Sequence, residues 1–217
     1  MYQFKTPFRS FLCGPSMSGK TTLLTKIIKN CDKMFVEKPK KIYYCYSIWQ
    51  ESYDKIKAIA AMGLVQIQFI QGLDVFNSIE SNSWLIIDDL AESIEQFSQE
   101  MLQLFTVRSH HEQISITLVL HNLFHQSKCM RILALNCTIY IIYRFVRDSS
   151  SLITLNKQIY PGVPKFLLSA YNQATNKPHG YILLDLNQNT PEDLRVVTDI
   201  FDNEITVYLP VNTKKTY

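Results

Sequence analysis

The sequence of 217 residues predicts an α/β protein, in which a mostly parallel β-sheet carries helices on both faces. The first observation is that apolar segments rich in β-branched and aromatic residues alternate with helical patterns, as in sheets buried on both sides. The second is a glycine-rich loop between the first apolar segment and an apolar stripe of helical spacing. Strands are predicted at residues 10–13, 42–46, 65–70, 84–88, 114–120, 137–143 and 180–186.

The composition is that of a globular chain and excludes several classes of protein. Hydrophobic residues make up 47% and charged residues 19%, and the net charge of +3 is too small to indicate nucleic-acid binding by itself. No apolar run is long enough to cross a bilayer and the N-terminus lacks a secretory pattern, so we expect neither a membrane partner nor secretion. The five cysteines predict reduced, buried thiols of an intracellular protein.

We predict one domain over residues 1–217, with a core of about 9–186 and a C-terminal extension of about 187–217. Apolar residues at positions 94, 97, 101, 104 and 105 predict one helix over residues 92–108. Asp148, followed by three serines, predicts a helix N-cap. In the extension, short strands are predicted at residues 195–198 and 205–209, either at a sheet edge or against a neighbouring subunit.

The glycine-rich loop, Gly14-Pro-Ser-Met-Ser-Gly-Lys-Thr21, is a complete P-loop (Walker A) in the strand–loop–helix setting that its chemistry requires. Its backbone N–H groups and the positive end of the following helix predict a cradle for the phosphates of a nucleoside triphosphate. We expect Lys20 to reach the outer phosphates and the Thr21 hydroxyl to bind Mg²⁺. The predicted nucleotide-binding residues are Gly14, Pro15, Ser16, Met17, Ser18, Gly19, Lys20, Thr21 and Thr22.

Two carboxylates end a second apolar strand, Trp84-Leu-Ile-Ile-Asp88-Asp89, and this arrangement is typical of a Walker B motif. Strand ends place their side chains at the carboxyl edge of the sheet, where ligands of open α/β sheets bind. Asp88 is predicted to hold Mg²⁺, directly or through its water shell. Asp89 is predicted to orient and deprotonate the water that attacks the γ-phosphate, although a glutamate is commoner at this position. The alternative is a solvated acidic turn that caps a core strand.

Polar residues also follow the next predicted strand, at His121-Asn122. In P-loop ATPases with a strand inserted between the two nucleotide-binding strands, a polar residue here senses the γ-phosphate. Asn122 is the first candidate and His121 the second; otherwise Asn122 starts a turn and His121 is a partly buried imidazole. His121, His125 and Cys129 recur at every fourth residue, but without a cysteine pair we expect hydrogen bonding or packing rather than a zinc site. The tyrosines at positions 43, 44 and 46 are expected in the core or at a sheet edge rather than in base stacking.

A series of further motifs follows the P-loop in chain order: Ile-Ile-Asp88-Asp89, Arg108-Ser-His-His111, Asn122-Leu-Phe-His125, Arg147-Asp-Ser-Ser150, Tyr160-Pro-Gly162 and Lys177-Pro-His-Gly-Tyr-Ile-Leu-Leu-Asp185. The series covers about residues 9–201 and resembles the FtsK–HerA-type genome-packaging ATPases of poxviruses, Polinton or adintovirus-like elements and related double-jelly-roll viruses. The P-loop is common to many NTPases. The resemblance to this family in particular rests on the Arg-Ser-His-His, Asn-Leu-Phe-His and Pro-His-Gly-Tyr stretches. The chain departs from the family at His121, where glutamine is common, and at Asp89, where the pair is Asp-Glu.

The resemblance implies a P-loop NTPase three-layer sandwich of the ASCE or RecA-like class, with ATP and Mg²⁺ as cofactors. It implies a motor that moves double-stranded DNA into a preformed capsid, acts as a hexameric or pentameric ring, and meets capsid-vertex or portal-like proteins. The expected location is an infected host cell, in the nucleus or a cytoplasmic virus factory, or the virion. Arg108 matches the family arginine that acts on the neighbouring subunit's nucleotide; Arg144 and Arg147 are the alternatives.

Three other functions use the same nucleotide motifs. A nucleotide kinase pairs a P-loop with strand-end acids, but it usually carries an arginine-rich lid, and residues 121–150 contain only three arginines. A DNA helicase would separate strands instead of moving an intact duplex. A non-catalytic scaffold at a capsid vertex would bind the nucleotide without hydrolysing it.

Overall fold

The computed structural model describes residues 1–147 and 150–210. All seven strands predicted for the core are present in it, with ends that differ from the predicted ends by at most two residues. The strands of the described residues are β1 Arg9–Cys13, β2 Lys41–Tyr46, β3 Gln66–Gln71, β4 Ser83–Asp88, β5 Ser115–Leu120, β6 Ile139–Tyr143, β7 Tyr181–Asp185, β8 Val196–Thr198 and β9 Thr206–Val207.

These strands form one sheet in the order β3-β2-β4-β5-β1-β6-β7-β8-β9. Strands β3 to β6 of that order are parallel, and β7, β8 and β9 continue the sheet in antiparallel pairs, so the predicted mostly parallel sheet is confirmed. Strand β5 lies between β1 and β4: Leu120 is opposite Cys13 of β1, and Val119 is opposite Asp88 of β4. The carboxyl ends of all three strands therefore meet at one edge.

Helices cover both faces of the sheet. Those of the described residues are α1 Lys20–Lys29, α2 Cys31–Met34, α3 Ser52–Ala61, α4 Ala91–Gln96, α5 Ser98–Gln103, α6 Ser109–His111, α7 Lys128–Leu135, α8 Ser150–Ile159 and α9 Phe166–Ala174. A π-helix, Leu104–Arg108, joins α5 to α6, and a 3₁₀ turn spans Glu192–Leu194.

The two faces of the sheet belong to two separate hydrophobic clusters. Successive strand residues point to opposite faces, so Leu85 packs with the cluster of α5, α7, α8 and α9, whereas Trp84 packs with the cluster of α1, α2 and α3. Residues of β1 divide in the same way, with Phe11 in the first cluster and Leu12 in the second. The predicted three-layer architecture is confirmed by this division.

The single helix predicted over residues 92–108 is wrong. The chain leaves helical geometry at Phe97, where φ is −103° and ψ is 36°, so that α4 and α5 are separate and a π-helix follows. The Phe97 ring packs against Phe76, with ring centroids 5.7 Å apart. The predicted apolar stripe is still buried, because Ile94, Met101 and Phe105 are each at most 1% exposed. Periodicity therefore predicted the buried face but not the break.

The C-terminal extension contains both of its predicted strands, as β8 and β9. They pair with the core sheet at its edge, which was one of the two placements expected. The five cysteines are all buried and unpaired, as predicted. Asp148, the predicted N-cap, lies outside the described residues. No helix of the described part is long and apolar enough to span a membrane.

Candidate nucleotide-binding site

The P-loop connects β1 to α1 and requires glycine at two of its positions. A Cβ atom at Gly14 would lie 2.7 Å from both the Ser18 Oγ and the Tyr143 Cβ, so a side chain there would displace the loop. Gly19 has a φ of 107°, in the left-handed region that favours glycine. No side chain caps the N-terminus of α1, and the first turn has no acidic residue. Its N–H groups are therefore available to an anion.

Lys20 is buried at the base of the loop, where its Nζ donates to the carbonyl oxygens of Gly14 at 2.6 Å and Pro15 at 2.9 Å. Burial lowers the pKa of the ammonium, while the nearby carboxylates of Asp88 and Asp89 oppose that shift. The lysine is thus held by uncharged carbonyl groups beside two acids. An anionic phosphate is a stronger partner for this ammonium than a carbonyl oxygen is.

Asp88 ends β4, is 4% exposed, and is fixed by two tyrosines. Its Oδ2 accepts hydrogen bonds from the hydroxyl groups of Tyr44 at 2.6 Å and Tyr53 at 2.9 Å. Burial raises the pKa of the Asp88 carboxyl, and the two tyrosine hydrogen bonds and the charge of Lys20 oppose the shift. Burial also raises the pKa of both tyrosines, so their hydroxyl groups remain donors at neutral pH.

Asp89, the next residue, has the opposite environment. Its φ of 57° lies in the left-handed region, directly after the last residue of β4, and half of its side-chain surface is exposed. Its Oδ1 lies 3.1 Å from the Nε2 of His121, which follows β5. The two strand ends therefore bring together the predicted base and the second candidate for the sensor.

One cavity of about 520 Å³ collects most of the predicted nucleotide residues, and we call it the P-loop cavity. It is lined by Ser16, Met17, Ser18, Gly19, Lys20, Thr21, Thr22, Gln50, Ser52, Asp88, Asp89, His121 and His179. Gly14 and Pro15 lie beneath it and hold Lys20. The Thr21 hydroxyl and the Asp88 carboxylate are hard oxygen ligands on one cavity, a pair that fits Mg²⁺.

Asn122, the first candidate for the sensor, is exposed and is not among the described residues that line the P-loop cavity. Of the two candidates, His121 lines that cavity, and the sensor role stays a prediction for both. His125 and Cys129 also lie outside the cavity. Within residues 1–147 and 150–210, no group of three or more His, Cys, Asp or Glu side chains could hold a metal ion.

His179 is one of the site residues that the sequence analysis did not single out. It precedes β7, and its Nδ1 lies 3.0 Å from the carbonyl oxygen of Ser18 in the P-loop. Tyr143 at the end of β6 also holds the loop, since its hydroxyl donates to the Gly19 carbonyl at 3.1 Å. The available signal was the Pro178-His-Gly-Tyr181 stretch, which resembles the family but did not by itself indicate contact with the P-loop.

The candidate arginines lie in different places. Arg108 precedes β5, at the sheet edge opposite the P-loop, where its guanidinium bonds to both carboxylate oxygens of Glu112 and to the Phe76 carbonyl. Arg144 lines a cavity of about 470 Å³ with P-loop residues of its own subunit. Arg147 is exposed. An arginine that acts on a neighbouring subunit stays a prediction for all three.

Comparison with solved structures finds the fold of this chain in the genome packaging NTPase B204 of Sulfolobus turreted icosahedral virus 2. Its complex with sulfate superposes with a TM-score of 0.55 at 14% identity, covering 94% of this chain and 97% of that chain. Its complexes with ATP-γS and AMPPCP give TM-scores of 0.53 and 0.54 at 16% and 14% identity, covering 94% of this chain and 98% of that chain. Models of protein families and curated protein sequences give no match.

The likeness extends over nearly the whole of both chains, and the chain therefore has the α/β fold of the P-loop NTPases. Within that class, the position of β5 between β1 and β4 is the inserted strand that the sequence predicted. At these identities the likeness concerns the fold. Membership of the FtsK–HerA superfamily stays a prediction from the motifs.

Proposed function

We propose that this chain binds ATP with Mg²⁺ and hydrolyses it. The observation that carries the proposal is the meeting of Lys20, Thr21, Asp88, Asp89 and His121 on the P-loop cavity. A phosphate cradle, a metal-binding pair and a carboxylate base are the groups that triphosphate hydrolysis requires, because its catalysis is mostly positioning and charge stabilisation.

Each side chain has a separate task in this proposal. The P-loop N–H groups and the N-terminus of α1 bind the phosphate oxygens, and Lys20 exchanges the Gly14 and Pro15 carbonyls for them. Thr21 and Asp88 would hold Mg²⁺, and the ion would neutralise charge on the phosphates. Asp89 orients a water molecule and accepts its proton as the water oxygen bonds to the γ-phosphorus. The bond between that phosphorus and the bridging oxygen breaks at the same centre, so that ADP and inorganic phosphate are the products. His121 fixes the Asp89 carboxylate through the 3.1 Å contact.

The finer proposal is that hydrolysis drives double-stranded DNA into a preformed viral capsid. The support is the ordered series of motifs over residues 9–201 and the fold shared with a viral genome packaging NTPase. In such a motor, nucleotide binding and phosphate release bias a two-state element that grips DNA. The proposed partners are duplex DNA, further copies of the chain in a hexameric or pentameric ring, and capsid-vertex or portal-like proteins.

One experiment tests both the ATP hydrolysis and its coupling to DNA. The rate of ATP hydrolysis by the full chain is measured with and without duplex DNA, and the mass of the assembly is determined under the same conditions. We expect a Mg²⁺-dependent rate that duplex DNA raises, and an assembly larger than a monomer. The absence of ATP hydrolysis by the wild-type chain would contradict the proposed enzymatic activity. Stimulation by a nucleoside monophosphate instead of DNA would identify a kinase, and strand separation would identify a helicase.

A separate experiment tests whether an arginine of one subunit acts on the nucleotide of its neighbour. Equal amounts of Arg108→Ala and Lys20→Ala subunits are mixed, and ATP turnover is compared with that of each variant alone. If Arg108 serves a neighbouring site, mixed rings contain interfaces with one intact site and one intact arginine, and activity returns. If both variants assemble normally and the mixture stays inactive, Arg108 has no such role, and the same experiment with Arg144→Ala follows.

A further inference from the structure

A second cavity, of about 410 Å³, lies beside the P-loop and has no role in the proposal above. It shares Gly19, Thr22 and His179 with the P-loop cavity, so the two spaces meet at the first turn of α1. Its outer wall comes from Lys26 of α1 and from the turn after β8 that carries Phe201. Its volume lies within the range of about 300–1,000 Å³ that is usual for small-molecule sites.

We propose that the second cavity binds the purine base and ribose of the nucleotide, with Phe201 as the stacking surface. The inference rests on the proposed binding of the triphosphate by the P-loop, and it gives a role to the C-terminal extension. Because the cavity begins where the P-loop ends, a ligand whose phosphates occupy the loop can extend directly into it.

The chemistry of the wall fits a nucleoside. Phe201 is half-buried, and the Lys26 Nζ lies 5.7 Å from its ring centroid. An aromatic face stacks on nucleobases, and a purine offers the larger surface for it. The ammonium of Lys26 is a donor for oxygen or ring-nitrogen acceptors, and the Asp202 carboxylate on the same cavity is an acceptor for an exocyclic amino group, as adenine has.

The turn that carries Phe201 is fixed by its neighbours. Ile200 is fully buried; its N–H lies 3.3 Å from the Tyr181 hydroxyl, and its carbonyl accepts from the Tyr2 N–H at 2.9 Å. An ion pair between Lys177 and Asp199 joins the two sides of the cavity. These contacts involve only the protein, and they set the backbone that carries Phe201 before a ligand arrives. The Phe201 side chain also packs against the cluster of α1, α2 and α3, so a small ordering cost is expected on binding.

The test separates the two halves of the ligand. Isothermal titration calorimetry of the full chain with Mg²⁺ compares ATP, UTP and inorganic tripolyphosphate, which has the phosphates but no nucleoside. We expect ATP to bind at least about tenfold more tightly than UTP or tripolyphosphate. Phe201→Ala should weaken ATP binding by about tenfold and leave tripolyphosphate binding within about twofold of wild type.

Phe166→Ala is the matched control. Phe166 is also half-buried and also lines a cavity, of about 440 Å³, which shares no residue with the two cavities at the P-loop. This variant should bind both ligands as wild type does. Photolabelling by 8-azido-ATP provides a structural readout, and the label is expected in peptides that contain residues 177–181 or 199–202.

Two results would overturn the inference: unchanged ATP affinity of a folded Phe201→Ala variant, or equal loss of ATP and tripolyphosphate binding. If Phe201→Ala does not fold, Phe201→Leu and Lys26→Met give the same comparison. Lys20→Ala tests the P-loop separately, because it should lose both ligands. Retention of tripolyphosphate by Lys20→Ala would contradict the proposed function, whereas a failure confined to Phe201 would leave that function intact.

Discussion

Asp88 and Asp89 are neighbours at the end of one strand, yet they differ in burial and in their hydrogen-bond partners. Asp88 is 4% exposed and is held by two buried tyrosine hydroxyls, whereas the side chain of Asp89 is 50% exposed and contacts His121. A carboxylate that is fixed and desolvated suits a metal ion, since its geometry is set in advance. One that is exposed on a turn can meet water and exchange a proton. Two adjacent acids of the same residue type can thus take separate tasks because they are packed differently.

Substitution of the buried acid, Asp88, should reduce ATP turnover more than any other change described below. Asp88→Asn should reduce Mg²⁺-dependent ATP turnover by at least about 10³-fold, because charge stabilisation by the metal contributes several kcal/mol. Turnover is measured at saturating ATP over a range of Mg²⁺ concentrations. An activity within tenfold of wild type would show that this carboxylate does not hold the metal.

The same variant should be more stable than wild type at neutral pH. Burial raises the pKa of Asp88 above its ordinary value of 3.8, so the folded chain binds this proton more tightly than the unfolded chain does. The free energy of unfolding therefore falls as the pH rises through the interval between the two pKa values. The Asp88→Asn variant has no carboxyl group to ionise at this position, so its free energy of unfolding does not fall in this way. Each 1 kcal/mol of additional unfolding free energy raises Tm by about 2–4 °C. The difference in Tm between Asp88→Asn and wild type should narrow as the pH approaches 3.8. A difference that does not depend on pH would show that ionisation of the buried Asp88 is not its cause.

The exposed acid should give the next largest effect. Asp89→Asn is expected to lower kcat by about 10²-fold, in the range for loss of a general base, without weakening ATP binding. Binding by calorimetry and turnover under the same conditions separate the two steps. Equal losses in binding and turnover would mean that Asp89, like Asp88, contributes to holding the nucleotide and its metal, and the contrast between the two acids would fail.

Removal of the tyrosine hydroxyls tests whether packing sets the role of Asp88. Tyr44→Phe should raise the Mg²⁺ concentration needed for half-maximal activity by about tenfold, as is usual when a residue that orients a metal ligand is lost. Tyr43→Phe is a matched control, because Tyr43 is equally buried in the same strand but its hydroxyl bonds to the Ser78 carbonyl and Glu80. Identical Mg²⁺ curves for the two variants would exclude the positioning role.

The smallest effect is expected at His121. His121→Ala should lower kcat by only about threefold to tenfold, because an exposed contact contributes little. The double variant with Asp89→Asn should be no slower than Asp89→Asn alone, since His121 acts through that carboxylate. Additive losses would assign His121 an independent contact with the phosphates.

The sequence was sufficient for the strands and for the phosphate site because both depend on local pattern. The residues from Trp84 to Ile87 alternate between the two hydrophobic clusters, as in a strand that is covered on both faces. The P-loop motif specifies its own backbone conformation. The helix break at Phe97, whose ring packs against the distant Phe76, was not predictable from the order of apolar residues. The pattern of apolar residues is the same with and without the break.

The side chains that contact Asp88 and the P-loop could not be predicted from the sequence, for a related reason. Tyr44 was correctly predicted to be buried. Burial does not reveal, however, that its hydroxyl reaches from β2 to Asp88 on the adjacent strand β4. His179 contacts Ser18 from 161 residues away, and only the folded sheet places them side by side. Spacing along the chain predicts elements, whereas these contacts depend on how the elements assemble.

The burial of every cysteine has a practical consequence for measuring motion at this site. All five thiols are inaccessible, and burial raises the pKa of Cys129 to about 11 and of Cys45 and Cys137 to about 12, so few thiolates form near neutrality. Met17 at the tip of the P-loop is 95% exposed. A cysteine introduced there would therefore react selectively with a maleimide dye, and fluorescence could follow loop movement without removal of any native sulfur.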